Sequence, residues 1–550
     1  MNWRLCGARG ALVFGTAAVL SQPSIAQQST STSSVTTYRY DSARSGYTPG
    51  KLDLPLAELW RHTTTPTPLT SSSFAYKNGT LYVAGGGTVY AINAADGSQV
   101  WKFPADKPAT APFYNTPVID GDALYIGGND QRFYKLDVAT GKQIWVHAMP
   151  GTLRSPAIVT GNKVFFGCEN GTFYALDTAD GKIIWSADTG GPITSAASEN
   201  GSGEIAFASS DNKIYYAEED SGRVVWAVRL PTDATASPPV YSNGAFITGA
   251  GRDLYALAER RGNQKWTTRF ADNITTPVAV SPSMLYLATA ENRAYGVSDR
   301  GRVQWGVDLP YPSITPPLVV GSNVVFACGK GALVVVDGET GKTLWQYVVQ
   351  PVTPAKKKAL PYTNVAAAPV FADNALFVLS DDGTIGAYKA SAPDNIGPIF
   401  TKFAPEAGTS VNGKDIAYGM AIVDEGSGIK PDSLVMTVDG KTVPTAKYLP
   451  SVNGLKVDLP TDLSDTTFTT LPEGLHQVTV TATDWRGNTS KVSYAFTVDN
   501  TKKKNQKPGQ GGYPGGPGGY PGGPGGYPGG PGGYPGGPGG YPGGYPGGND

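Results

Sequence analysis

The sequence predicts an all-β protein: an eight-bladed β-propeller, then a β-sandwich, then a disordered Gly/Pro/Tyr tail. Three observations predict it. A tryptophan returns about every forty residues between Trp60 and Trp345. Residues 396–499 lack that repeat but alternate as strands do. From Gly509 to Asp550 the chain is a Gly-Gly-Tyr-Pro-Gly-Gly-Pro array of period seven.

The repeat is carried by Trp60, Trp101, Trp145, Trp185, Trp226, Trp266, Trp305 and Trp345, with successive gaps of 41, 44, 40, 41, 40, 39 and 40 residues. A fixed period of this length marks a repeated supersecondary unit. Each unit reads as four short strands joined by Gly/Asp/Asn turns, as in Thr116–Ile119, Ala123–Gly127, Phe133–Asp137 and Gln143–Val146. One such sheet cannot bury both faces; packing sheets around an axis does so and removes most free edges. Residues 364–390 hold three strands with no tryptophan strand after them, while Trp60 has no three strands before it. The two fragments complement each other, so Trp60 is expected to complete the last blade and close the ring. On that reading, deleting residues 27–50 is expected to be mild and deleting through residue 63 to open the ring.

The segment Tyr174-Ala-Leu-Asp-Thr-Ala-Asp-Gly-Lys-Ile-Ile-Trp185, together with Phe133–Trp145, resembles the repeat of the quinoprotein-like (PQQ-like) propeller family. The lead-in from Tyr38 to Tyr47 is similar to one such proteins carry, and the resemblance covers residues 38–390. It is specific to fold and not to function. The family includes quinone-dependent dehydrogenases and also non-catalytic scaffolds such as the lipoprotein of the outer-membrane barrel-assembly machinery. The enzymatic branch implies a quinone (PQQ) held between a tryptophan and a disulfide of adjacent cysteines, beside Ca²⁺. No adjacent cysteines occur here, and every propeller tryptophan is used by the repeat. The expectation is therefore no catalytic residues, no cofactor and no metal, with PQQ and calcium retained only under the alternative of a divergent quinone-dependent dehydrogenase.

Residues 1–26 read as a secretory signal: Arg4 and Arg9, an apolar run Ala11–Leu20, then Ser24-Ile25-Ala26. Residues 27–37 read as a disordered linker, 38–390 as the propeller, 391–500 as the sandwich and 501–550 as a disordered basic and Gly/Pro/Tyr tail. The strands 417–423, 433–438, 476–482 and 494–498 resemble the disulfide-free Ig-like modules of bacterial surface proteins. The tail holds 23 of the 71 glycines and no aliphatic side chain, so it cannot build a core. Cys168 and Cys328 lie four repeat periods apart, on opposite sides of an eight-bladed ring, too far for a disulfide.

The formal net charge of −1 argues against a nucleic-acid partner. The three histidines, His62, His147 and His476, are scattered, which disfavours a histidine metal site. Asp424, Glu425 and Asp484 offer calcium ligands, but two turns of one module fall short of the six oxygens the ion takes. What remains is surface. Blade-to-blade links share one face with the turns between second and third strands, and that face collects Tyr114, Asn115, Arg154, Arg252, Arg293, Tyr311, Tyr362 and Asn364. Arginine and tyrosine are enriched in binding hot spots. These residues are the candidate binding face of an exported, monomeric, non-enzymatic scaffold. Its expected place is the periplasm or cell surface, and its expected partner an envelope or surface protein or polymer.

Overall fold

The computed structural model describes residues 34–63, 73–106, 109, 111–231, 236–313, 315–350, 363–414, 416–450, 454–457 and 470–502. The signal expected over 1–26, the tail beyond 502 and Tyr362 lie outside the described residues. Apart from single 3₁₀ turns at Gly329–Gly331 and Pro431–Ser433, the described secondary structure is all strand. The repeat region forms a β-propeller of eight four-stranded antiparallel sheets, two of which gain a fifth strand from the lead-in.

Blade two shows the plan. Val118–Asp120 lies innermost, followed outward by Ala123–Gly128, Arg132–Asp137 and Gln143–Ala148. Ala123–Gly128 is buried at every position because neighbouring blades cover both of its faces. Gln143–Ala148 forms the rim and alternates between exposed and half-buried residues. Aromatics stack across blade borders: Phe133 on Phe166 with ring centroids 4.2 Å apart, and Phe173 on Phe207 at 4.1 Å.

The repeat tryptophans cement the borders. The indole Nε1 of Trp60, Trp101, Trp145, Trp185, Trp226, Trp266 and Trp305 each donates to a backbone carbonyl in the third-to-fourth-strand turn of the following blade, at 2.8–3.1 Å. The indole plane lies against a glycine of that same turn. Gly181 has φ +74°, and a Cβ there would stand 2.8 Å from Cε3 of Trp145. The turn glycine is thus required twice, by the left-handed backbone and by the ring it supports.

Ring closure joins the ends of the repeat. Ala57–Thr63 pairs antiparallel with Thr384–Lys389, so Trp60 sits on the outer strand of blade eight, whose inner strands are Val370–Ala372 and Ala375–Leu379. One expectation changes. Residues 34–37, read as disordered linker, are placed: Ser34–Val35 pairs with Ala75–Lys77 of blade one. The segment then crosses the ring. The amides of Ile119, Glu199, Tyr241, Val280 and Val319, on the innermost strands of blades two, four, five, six and seven, donate to the carbonyls of Thr36, Ser42, Ala43, Ser45 and Gly46 at 2.7–3.0 Å. Innermost strands are sheet edges, and here the lead-in satisfies their donors.

Beyond residue 391 two sheets pack on one core. One runs Ile399–Ala404, Gly419–Val423, Gly454–Val457, Ala446–Leu449; the other runs Ser410–Val411, Thr489–Val498, Gly474–Thr483, Val435–Val438, Lys441–Thr442. Ile422, Met436, Val478, Val480 and Phe496 lie in that core. His476 is buried and held by Asp439 and the Pro472 carbonyl, each at 2.7 Å.

Candidate functional site

On the link face the structure brings some candidate residues together and separates others. At the border of blades two and three, the Arg154 guanidinium lies 4.9 Å from the Tyr114 ring centroid, with Nε 3.1 Å from Glu169 Oε1. Thr152 donates to the same carboxylate. Asn115 is buried beneath them, its Nδ2 donating to the carbonyls of Leu153 and Ser155 at 3.4 Å, so it braces a link and presents little surface. At the border of blades seven and eight, Lys330 Nζ lies 4.6 Å from the Tyr311 ring centroid. The Lys330 amide donates to Asn364 Oδ1 at 2.8 Å, and Asn364 Nδ2 to Asp381 at 2.7 Å. Arg252 and Arg293 stand on separate turns of blades five and six; Arg293 faces Tyr295 and Asp308. The face therefore carries two preorganised cation–aromatic–carboxylate clusters. Lys330, Glu169 and Asp381 were missed by sequence reasoning because their register across a border depends on blade packing.

The second feature is the channel axis. Arg44, fully buried, donates from Nε to the Ala197 carbonyl at 2.9 Å and from Nη2 to that of Ala157 at 2.8 Å. Arg39 Nη2 donates to the Val278 carbonyl at 2.5 Å. Burial lowers the Arg44 pKa to about 10, opposed by Glu199 and Asp41, so it stays charged at neutral pH. Arg39, Tyr40 and Arg44 have φ of 61°, 76° and 62°, left-handed values that non-glycine residues hold only when surroundings over-determine them. The motif Tyr-Arg-Tyr-Asp-Ser-Ala-Arg was visible in the sequence; that it crosses the ring was not.

The third feature is the junction with the sandwich. Blade eight has no covalent turn between its third strand and its outer strand, since these come from opposite ends of the repeat. The sandwich fills the gap. Trp345 Nε1 donates to the Ser427 carbonyl at 2.9 Å, as its seven counterparts do to turn carbonyls. Gly428, at φ +84°, lies beside Tyr347. The Glu58 amide donates to the Gly426 carbonyl at 3.2 Å, and Trp485 Nε1 to the Gln346 carbonyl at 3.1 Å. Two carboxylates hold the loop: Asp424 accepts from the Gly428 amide at 2.6 Å and Asp394 from that of Ser427 at 2.8 Å. Asp394, Asp424 and Asp484 present oxygens within 4.8 Å of one another. Burial pushes the Asp424 pKa up to about 7, reinforced by Asp394 and Asp484 against the Gly428 hydrogen bond. Asp424 and Asp484 were singled out as calcium ligands, but Glu425 is not in this group and its place is taken by Asp394. Three carboxylates already engaged by amides are a short set for Ca²⁺.

A quinone held as the enzymatic branch implies needs adjacent cysteines and a spare tryptophan, and the described residues do not fit that demand. Cys168 and Cys328 are separate buried thiols in blades three and seven, with pKa values raised by burial. All eight repeat indoles fill inter-blade slots, and Trp485 lies in the junction. Among the described residues, no helix is long and apolar enough to cross a membrane.

The family profile described as outer membrane protein assembly factor BamB matches residues 56–210 and 210–425. The Escherichia coli K12 protein of that name is 29% identical over 322 residues, covering 54% of this chain and 79% of its own length. The Nitrosomonas eutropha protein of that name is 23% identical over 206 residues, 35% of this chain; the chain spans about half of that relative, 48%. Among solved structures, quinohemoprotein alcohol dehydrogenase from Comamonas testosteroni superposes with TM-score 0.55 at 14% identity, over 67% of this chain and 82% of that one. A europium-containing methanol dehydrogenase gives 0.52 at 14%, over 63% and 89%. At such identity the likeness to the dehydrogenases shows the fold alone. With a family match over most of the repeat and into the junction, the chain belongs to the BamB-type, PQQ-like repeat family of β-propellers.

Proposed function

We propose that this protein is an exported, non-enzymatic propeller scaffold of the cell envelope that works with the assembly of outer-membrane proteins, its sandwich an Ig-like module. The observation that carries the reading is the family match across residues 56–425, whose relatives are named for that assembly. The link face supports it. Tyr114–Arg154 and Tyr311–Lys330 are rigid aromatic–cation pairs of the kind that anchor protein interfaces. The channel supports it too, because buried arginines and the lead-in take the axis.

The test is capture from cross-linked envelope with the tagged mature chain. Outer-membrane assembly proteins are expected among the captured partners, and Arg154→Glu with Lys330→Glu is expected to cut their recovery at least tenfold while the melting temperature holds. Recovery of none, or recovery unchanged in the double variant, overturns the proposal. Purified protein given PQQ and Ca²⁺ is expected to show no dye-linked alcohol oxidation; stoichiometric binding with turnover would restore the dehydrogenase reading.

A further inference from the structure

The face opposite the links carries the third-to-fourth-strand turns, and their charge is unevenly spread. Most blades mix signs there. In blade three Lys182 pairs with Asp180 at 2.6 Å, and in blade four Arg223 pairs with Glu218. Blades five and six instead read Glu259-Arg260-Arg261-Gly262 and Asp299-Arg300-Gly301-Arg302, with Lys265 following the first turn. Arg260, Arg261, Lys265, Arg300 and Arg302 are all exposed. Among the described residues, none of the five has a carboxylate oxygen within 4.0 Å. Glu259 is turned inward, accepting from Asn200 Nδ2 at 2.7 Å and from the Tyr241 hydroxyl at 2.9 Å. Asp299 is the one exposed carboxylate left in these two turns, so five cations face one anion in a chain whose formal net charge is −1.

The two turns are neighbours. Trp266 Nε1 of blade five donates to the Asp299 carbonyl at 3.1 Å, and Thr268 Oγ1 to that of Gly301 at 2.5 Å. Trp226 of blade four holds the Glu259 carbonyl at 2.8 Å. The outer strand of Trp226 begins with exposed Val224 and Val225, and Val303, 45% exposed, follows Arg302. The result is one stretch of rim on which the five cations of blades five and six stand beside Val303, with Val224 and Val225 next along the perimeter beyond the acidic turn of blade four.

We infer that this rim of blades five and six docks on the phosphate headgroups of an anionic membrane surface. Guanidinium forks match phosphate oxygens in pairs. Basic clusters beside a membrane gain from its negative potential, and small apolar side chains among them enter the headgroup layer. Four of the cations stand on two neighbouring turns and Lys265 on the outer strand after the first, so the charge is spread over two blades, as suits a planar charged surface. Docking by this edge leaves the opposite link face open to a protein partner and does not depend on which partner that is.

The experiment is co-sedimentation of the full mature chain with vesicles of phosphatidylcholine alone or with about 30% phosphatidylglycerol, at low and high salt. Wild type is expected to bind the anionic vesicles only, and less at high salt. Arg260→Gln, Arg261→Gln, Arg300→Gln and Arg302→Gln combined are expected to weaken binding about a hundredfold. Lys142→Gln with Lys182→Gln, on the same face in blades two and three, is expected to leave it within about twofold. If the fourfold variant fails to fold, Arg300→Gln with Arg302→Gln alone is expected to lose about tenfold. Equal binding by wild type and the arginine variants would assign vesicle binding to the tail lysines and overturn the inference. So would an equal loss in the lysine control, or binding of an acidic peptide or inorganic phosphate without binding of vesicles.

Discussion

At the scale of single residues, the turn glycines and the junction aspartates carry the sharpest consequences. Gly181→Ala puts a Cβ into both a left-handed backbone and the face of Trp145, and is expected to cost about 2–3 kcal/mol. Gly121, at φ +52° with open space around it, isolates the backbone part. Gly121→Ala is expected to cost about 1 kcal/mol, and equal costs at both positions would show that the indole does not need the glycine. Asp424 sets a pH dependence. Its pKa rises from the ordinary aspartate range to about 7 in the folded protein. Between these values the folded state keeps a proton that the unfolded chain has released, so stability falls as pH rises through the window and the loss is complete above about 7. The loss is on the order of 3–4 kcal/mol at full ionisation. Asp424→Asn, which can still accept from the Gly428 amide, is expected to flatten that slope between about pH 5 and 8 in denaturant midpoints. Glu219, raised to about 7 chiefly by burial, leaves a smaller slope of the same sign.

At the scale of elements, the lead-in and the closing strand act differently from the reading the repeat alone invites. Removing residues 27–50 looked mild because the segment carries no repeat signal. In the structure its carbonyls accept from amides on the innermost strands of five blades, and it sends two arginines up the axis. Its deletion is now expected to lower the denaturant midpoint strongly, and deletion through residue 63 to add aggregation measurable by light scattering, since the edge of Thr384–Lys389 opens. Trp60→Ala and Trp226→Ala are each expected to cost about 3–5 kcal/mol by leaving similar cavities. The strands themselves, the border tryptophans and the pairing of Trp60 with the last repeat were legible in the sequence, because each is a local pattern repeated many times. The lead-in was not. Its contacts are backbone amides of distant strands, and no side-chain pattern announces an acceptor. The link-face clusters were half legible: Tyr114, Arg154, Tyr311 and Asn364 could be placed on a face, but which lysine or carboxylate meets them is fixed by blade-to-blade register.

At the scale of the whole molecule, the sandwich is part of the ring's closure. A chain ending after Ala392 would leave Trp345 Nε1 without its acceptor and uncover Tyr347, which packs edge-on against Tyr388 with ring centroids 5.1 Å apart. It is expected to melt several degrees below the full chain, whereas a chain ending at Lys502, the last described residue of the module, should melt with it. Equal melting of all three would show that the sandwich hangs free. The closure also sets the order in which the molecule can be finished. Residues 57–63 are synthesised first, their partner strand at 384–389 follows more than three hundred residues later, and the Ser427 carbonyl comes later still. Until then the ring has an open seam and the first strand has no mate, the slow, long-range kind of pairing. A polypeptide released before residue 427 lacks the acceptor of Trp345, and it presents that open seam to proteases and holding chaperones. The Trp345 border is thus completed last, by a loop that lies beyond the repeat it closes.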